Sequence, residues 1–130
     1  MTTDLWMLVG SALLCLAIPF VYIGGIAQVP GGLLWGLGNR DTPLELPVWV
    51  ARARRAHTNM VENLAPFAVL VLTAHVAGVA NSTTALGATL FFWGRVAHFV
   101  VYCIGIPYLR TLVFAVAVVG EILILAQLVA

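Results

Sequence analysis

The chain has 130 residues, of which 62% are hydrophobic and only 8% charged, and its formal net charge at neutral pH is +1. Apolar residues make up about half of a soluble domain, so this composition, with a mean hydropathy of +1.06, excludes an ordinary soluble fold and points to lipid. The length suits one domain, and the charge leaves no basic footprint for nucleic acid.

Crossing the hydrocarbon takes about 20 mostly apolar residues. The first segment that qualifies runs from Leu5 to Val29. It has no basic region ahead of it and its apolar run is long, so it reads as a retained span and not as a cleavable signal peptide. Gly24-Gly25 within it predict a close helix approach, because small residues let backbones pack tightly in lipid. PGGLLWGLGNRDTPLELP follows and reads as a loop, rich in Gly and Pro. Near its end, Thr42 to Glu45 has the form of a capping box, while Pro47 is an alternative helix start. The second segment extends from Pro47 to Val79, the third from Thr83 to Ile104 and the fourth from Pro107 to Val129, joined by GVANST and GIP. Backbone groups in lipid must be satisfied within their own segment. The expectation is therefore an all-α integral membrane protein, with residues 1–130 forming a single domain built as a four-transmembrane-helix bundle.

The charges set an orientation. There is no lysine. Arg40, Arg52, Arg54 and Arg55 lie in or just after the first loop, Arg110 follows the third, and Arg95 sits toward that side of the third helix. The positive-inside rule places loops one and three in the cytoplasm and both termini outside, in a membrane of bacterial inner or endoplasmic reticulum type. Asn81-Ser82-Thr83 matches a glycosylation sequon on the outer side. Cys15 and Cys103 are far apart and read as small buried hydrophobes. His57 and His75 read as structural residues. With no His/Cys cluster, no metal is expected. Trp6, Trp35, Trp49 and Trp93 read as interface anchors or packing.

Against this apolar background RARRAHTNMVENLAPF, Arg52 to Phe67, stands out. At 100° per residue, Arg52, Arg55, Asn59 and Glu62 fall within about 80° on one helix face, and Glu62 lies roughly 10 Å deeper than Arg55. A charge inside the span costs at least about 2.5 kcal/mol without a partner. Arg95, His98 and Tyr102 share one face of the third helix at a matching depth, which predicts a Glu62–Arg95 pair. A structural ion pair with a solvated arginine collar accounts for the arginines alone. Asn59, His98 and Tyr102 converging at that depth point to a functional cavity. Glu121, eleven residues after Arg110, is read either as pairing with another subunit or as lying near the outer interface.

Arg55-Ala56-His57-Thr58-Asn59-Met60-Val61-Glu62-Asn63-Leu64-Ala65-Pro66-Phe67 resembles the signature of the MAPEG family, the membrane-associated proteins in eicosanoid and glutathione metabolism. Gly94-Arg95-Val96-Ala97-His98 with Tyr102 resembles the third-helix motif of its microsomal prostaglandin E synthase branch. The motifs cover roughly Pro47 to Thr111. The resemblance implies a homotrimer with a glutathione site at the subunit boundary, open to the cytoplasm. It implies that Arg55, Asn59, Glu62, Arg95, His98 and Tyr102 bind glutathione, and that Arg110, Thr111 and Tyr102 act on its sulfur. Two positions depart from the branch: Thr58 stands where it has an arginine, and Pro30 follows Gln28-Val29 where it has another.

The chemistry fits these residue types. Arginines offer forked donors to carboxylates. A neighbouring guanidinium favours a thiolate, the form that attacks. The implied activity is glutathione-dependent transfer to a hydrophobic electrophile, or reduction of a lipid peroxide. The hydrophobic small-molecule substrate would arrive through membrane lipid. The alternative is a non-catalytic lipid-binding or scaffold protein on the same fold, as the five-lipoxygenase-activating member is.

Overall fold

The structure, a computed structural model, describes all 130 residues. Five helices follow one another: α1 (Thr3–Ala27), α2 (Gly32–Leu37), α3 (Val48–Val76), α4 (Ser82–Ile104) and α5 (Pro107–Val129). Four of them, α1, α3, α4 and α5, are long and apolar enough to cross a membrane. The loop expected between the first two spans contains the six-residue α2. The capping box expected at Thr42 to Glu45 does not form. Pro47 is the N-cap of α3, and the residues before it stay outside the helix. A Pro at that boundary gives up an N–H that would in any case lack a partner within the helix.

The termini of the helices define two ends of the bundle. At the basic end, α4 stops at Gly105, whose left-handed φ of 92° suits glycine. Pro107 then opens α5. Arg52 donates to the Ile104 carbonyl at 3.2 Å, and its guanidinium occupies the space that a Cβ on Gly105 would need. The turn is thus tied to α3.

At the far end, Asn81 caps α4. Its side chain accepts from the Thr83 and Thr84 backbone N–H groups at 2.8 and 3.2 Å, and its own N–H donates to Thr84 Oγ1 at 2.9 Å. The same amide donates to Gln127 at 2.7 Å. The nitrogen that a glycan would modify is therefore already used to hold α4 and α5 together. Asp4 is buried beside it, accepting from Thr84 Oγ1 at 3.2 Å and lying 3.5 Å from His75. His75 accordingly has the structural role expected of it.

Packing is closest between α4 and α5. A Cβ on Gly87 would lie 2.5 Å from the Gly120 carbonyl oxygen, and one on Gly94 would lie 3.1 Å from Ala117. Glycines here let two backbones touch, as expected in lipid. The Gly24-Gly25 expectation splits. Gly25 meets Trp49 and Val50 of α3, whereas Gly24 has nothing within 4 Å in the chain. The core threads between the helices, with Phe67 and Phe91 stacked at 3.7 Å and Ile18, Met60, Val71 and Ile124 around them. Cys15 and Cys103 are free and half-buried, less covered within the chain than the small buried hydrophobes expected.

Candidate functional site

The polar face of α3 and that of α4 do meet, and the start of α5 closes the third side. Together they line a cavity of about 480 Å³ toward the basic end. From α3 it takes Arg55, Thr58, Asn59 and Glu62; from α4, His98 and Tyr102; from α5, Arg110, Thr111 and Phe114. The helical repeat explains the first two sets. Residues 55, 58, 59 and 62 are one stripe of α3, and residues 98 and 102 are one turn apart on α4. Arg110 and Thr111 reach the cavity because Gly105 turns the chain back beside α4.

Tyr102 organises the cations. The Arg110 guanidinium lies 4.8 Å from its ring centroid and that of Arg55 lies 6.0 Å away. Each distance is within cation–π range. His98 is held edge-on to Tyr102 at 5.4 Å. A smaller recess of about 250 Å³ adjoins this wall, sharing Arg55, Tyr102 and Arg110 and adding Arg52. Neither arginine of the main cavity has a carboxylate partner within the chain, where the only ion pair within 4.0 Å joins Asp4 and His75. The cavity therefore offers free cationic donors next to one free carboxylate, Glu62.

The expected Glu62–Arg95 pair is absent from the chain. Arg95 is 2% exposed and lies behind the cavity wall, donating from Nη1 to Asn59 Oδ1 at 2.7 Å. Its guanidinium sits between the Phe91 and Phe114 rings, at 5.0 and 5.1 Å. No carboxylate lies within 4.0 Å of it, and Glu121 of α5, itself without a partner at Oε1, is the acid left in its neighbourhood. The reason is register: Arg95 enters α3 at the level of Asn59, one turn before Glu62, and leans toward α5. Glu62 is left exposed on the chain's surface, facing the cavity. Arg95 thus stands apart from the other expected ligands as a support for Asn59.

Two cavity residues were not singled out as ligands by the sequence reading, Thr58 and Phe114. Thr58 was visible on the α3 stripe but was treated as a departure from the motif. Phe114 lies one turn beyond Arg110 and carries no polar signal.

A model of the MAPEG family matches residues 5–130. The chain belongs to the MAPEG family. No curated protein and no solved structure matches it. In this MAPEG chain the cavity is open on one side, because Arg55, Thr58, Glu62 and Thr111 remain exposed. Its chemistry suits a small, zwitterionic ligand with carboxylates for the arginines and an amine for Glu62.

Proposed function

We propose that this MAPEG protein is a glutathione-dependent membrane transferase or peroxidase acting on a hydrophobic electrophile or lipid peroxide, similar in motif to the microsomal prostaglandin E synthase branch. The observation that carries the proposal is the pair of unneutralised guanidiniums, Arg55 and Arg110, on either part of one cavity wall around Tyr102. The donor set fits glutathione, which has two carboxylates, an amine and a thiol. Arg55 would hold a carboxylate, and Asn59 with Glu62 would meet the amine or peptide groups. Glutathione supplies a nucleophilic or reducing thiol. Arg110 stabilises negative charge at that sulfur, and Tyr102 or Thr111 donates a hydrogen bond to it. Arg95 fixes Asn59, and His98 orients Tyr102. Phe114 gives the cavity an apolar wall on which a hydrophobic partner can rest.

In this reading the protein is a multi-pass homotrimer with loops one and three in the cytoplasm. The arginines in and just after those loops support that orientation. The test is glutathione titration of purified protein in mild detergent, followed by the thiolate's ultraviolet absorbance. The expected result is thiolate near neutral pH in the native protein. In Arg110→Ala its formation moves to higher pH and conjugation to a hydrophobic test electrophile slows. Binding without thiolate would favour the non-catalytic role, and no binding would remove glutathione as the ligand.

A further inference from the structure

Beside the main cavity, at the turn between α4 and α5, lies the recess of about 250 Å³. Arg52 and Arg55 line it from α3 and Arg110 from α5, with Gly105, Ile106 and Pro107 of the turn between them. Half of the arginines in a chain without lysine are thus gathered at one small concavity. No carboxylate neutralises them, because the only ion pair in the chain joins Asp4 and His75 at the far end.

A solvated arginine collar at a membrane face would account for the charge, but not for its being held in place. Arg52 donates from Nη1 to the Ile104 carbonyl at 3.2 Å, and a guanidinium keeps further N–H donors beyond the one used there. Arg110 and Arg55 lie 4.8 and 6.0 Å from the ring centroid of Tyr102, which also lines the recess. Arg52 and Arg110 are half-buried, and a cation partly withdrawn from water is costly without a counter-ion. The start of α5 adds to the field. No side chain caps this helix, and the Arg110 N–H is satisfied by the Ile106 carbonyl. The N–H groups ahead of it lack helical acceptors, and the positive end of the helix dipole falls at the recess.

We infer that this recess binds a phosphomonoester through Arg52, Arg55 and Arg110. A phosphomonoester carries about −1.5 to −2 charges near neutral pH and three strong acceptor oxygens. Arginine forks pair with such oxygens two at a time. A carboxylate brings a single charge and would leave most of this positive field uncompensated. The volume is below the usual range of small-molecule pockets, which suits an ester of headgroup size and not a nucleotide. Ile106 and Pro107 offer an apolar side to the carbon part of the ester. The same group is carried by a soluble ester such as glycerol 3-phosphate and by the headgroup of phosphatidic acid. The site does not rest on the glutathione reading, because Arg52 lines the recess and not the main cavity. Its consequence does rest on that reading. Arg55 and Arg110 face both cavities, so an occupied recess draws on the cations that a bound thiolate needs.

The test uses the full chain in neutral phosphatidylcholine nanodiscs with radiolabelled glycerol 3-phosphate. Expected is saturable binding. Arg52→Gln and Arg110→Gln should each weaken it at least about tenfold, as removal of a charge-assisted hydrogen bond does, with the elution profile of the native protein. Arg52 also anchors the turn, so Arg110→Gln, which leaves that anchor in place, keeps the test decisive. Arg54→Gln, on α3 but outside the recess, should leave binding unchanged. Acetate, and the monoanionic diester dimethyl phosphate, should compete far more weakly than unlabelled ester. Displacement by phosphatidic acid built into the nanodisc would support the site with the membrane as its source, and no displacement would support it with the soluble ester. No saturable binding, native affinity in both Arg52→Gln and Arg110→Gln, an equal loss in Arg54→Gln, or equal competition by acetate or dimethyl phosphate would overturn the proposal. A protein that binds the ester but not glutathione would end the glutathione reading and support this one.

Discussion

Asn59 supplies the only side-chain hydrogen bond of Arg95, whose Nε and Nη2 have no partner in the chain. Asn59→Leu should therefore destabilise the protein by at least about 1–3 kcal/mol, the cost of leaving a buried donor unpaired. A double-mutant cycle locates the charge partner. Arg95→Met with Glu121→Gln should show a coupling of about 0.5–3 kcal/mol, and Arg95→Met with Glu62→Gln nearly none. Denaturation in mild detergent measures both, and strong Glu62 coupling would restore the pair that the sequence suggested. The sequence displayed which faces carry Asn59, Glu62 and Arg95, because helical spacing is exact enough for that. It did not separate Asn59 from Glu62, since three residues differ by only about 4.5 Å in depth. Nor did it place Glu121 relative to Arg95, because the offset between two helices is not printed in either of them. Tyr102→Phe keeps the ring that Arg55 and Arg110 flank but loses the hydroxyl. It should raise the pH at which bound glutathione ionises by less than Arg110→Ala does, and an equal rise would make the hydroxyl as important as the cation.

At the scale of helices, the α4–α5 contact sets the cavity. Gly87 and Gly120 meet backbone to backbone, and Gly94 meets Ala117 and the Val113 carbonyl. This contact carries α5, with Arg110, Thr111 and Phe114, against His98 and Tyr102 of α4. The long apolar runs made the helices legible, but the glycines of α4 and α5 gave no local signal of which helix they would touch. Gly87→Leu has no flexible side chain to push aside, because the nearest atom is the Gly120 carbonyl oxygen. It should cost roughly 1–3 kcal/mol by overpacking and weaken glutathione binding, since the two cavity walls move apart. Glutathione titration of a variant that still elutes as folded protein checks this, and unchanged affinity would show that the α4–α5 spacing does not shape the site. At the far end, likewise, the sequence displayed the sequon at Asn81 but not the hydrogen bond from its amide to Gln127 of α5, which is a contact between helices.

At the scale of the whole molecule, the single chain leaves a contradiction that a second copy would resolve. Glu62 lies roughly 10 Å along α3 beyond Arg55, within a helix long and apolar enough to cross the membrane, and it is exposed. A carboxylate facing hydrocarbon at that depth costs at least about 2.5 kcal/mol. Arg55, Thr58 and Thr111 are exposed beside it, so the whole polar side of the cavity needs cover other than lipid tails. Within one chain Gly24 also has open space around it, although glycine in a lipid-facing helix otherwise only weakens the helix. A neighbouring copy seated over the open cavity, with a helix passing close at Gly24, would answer both observations. Native mass spectrometry from mild detergent should therefore show a homotrimer, the number that the family resemblance implies. Gly24→Leu should shift it toward monomer while leaving the helical content unchanged, because the substitution meets nothing inside the chain. The same variant should lose glutathione affinity together with assembly, since the cavity then opens to lipid. A fully monomeric native protein that still binds glutathione would overturn the trimer and require Glu62 to be shielded by the bound ligand alone.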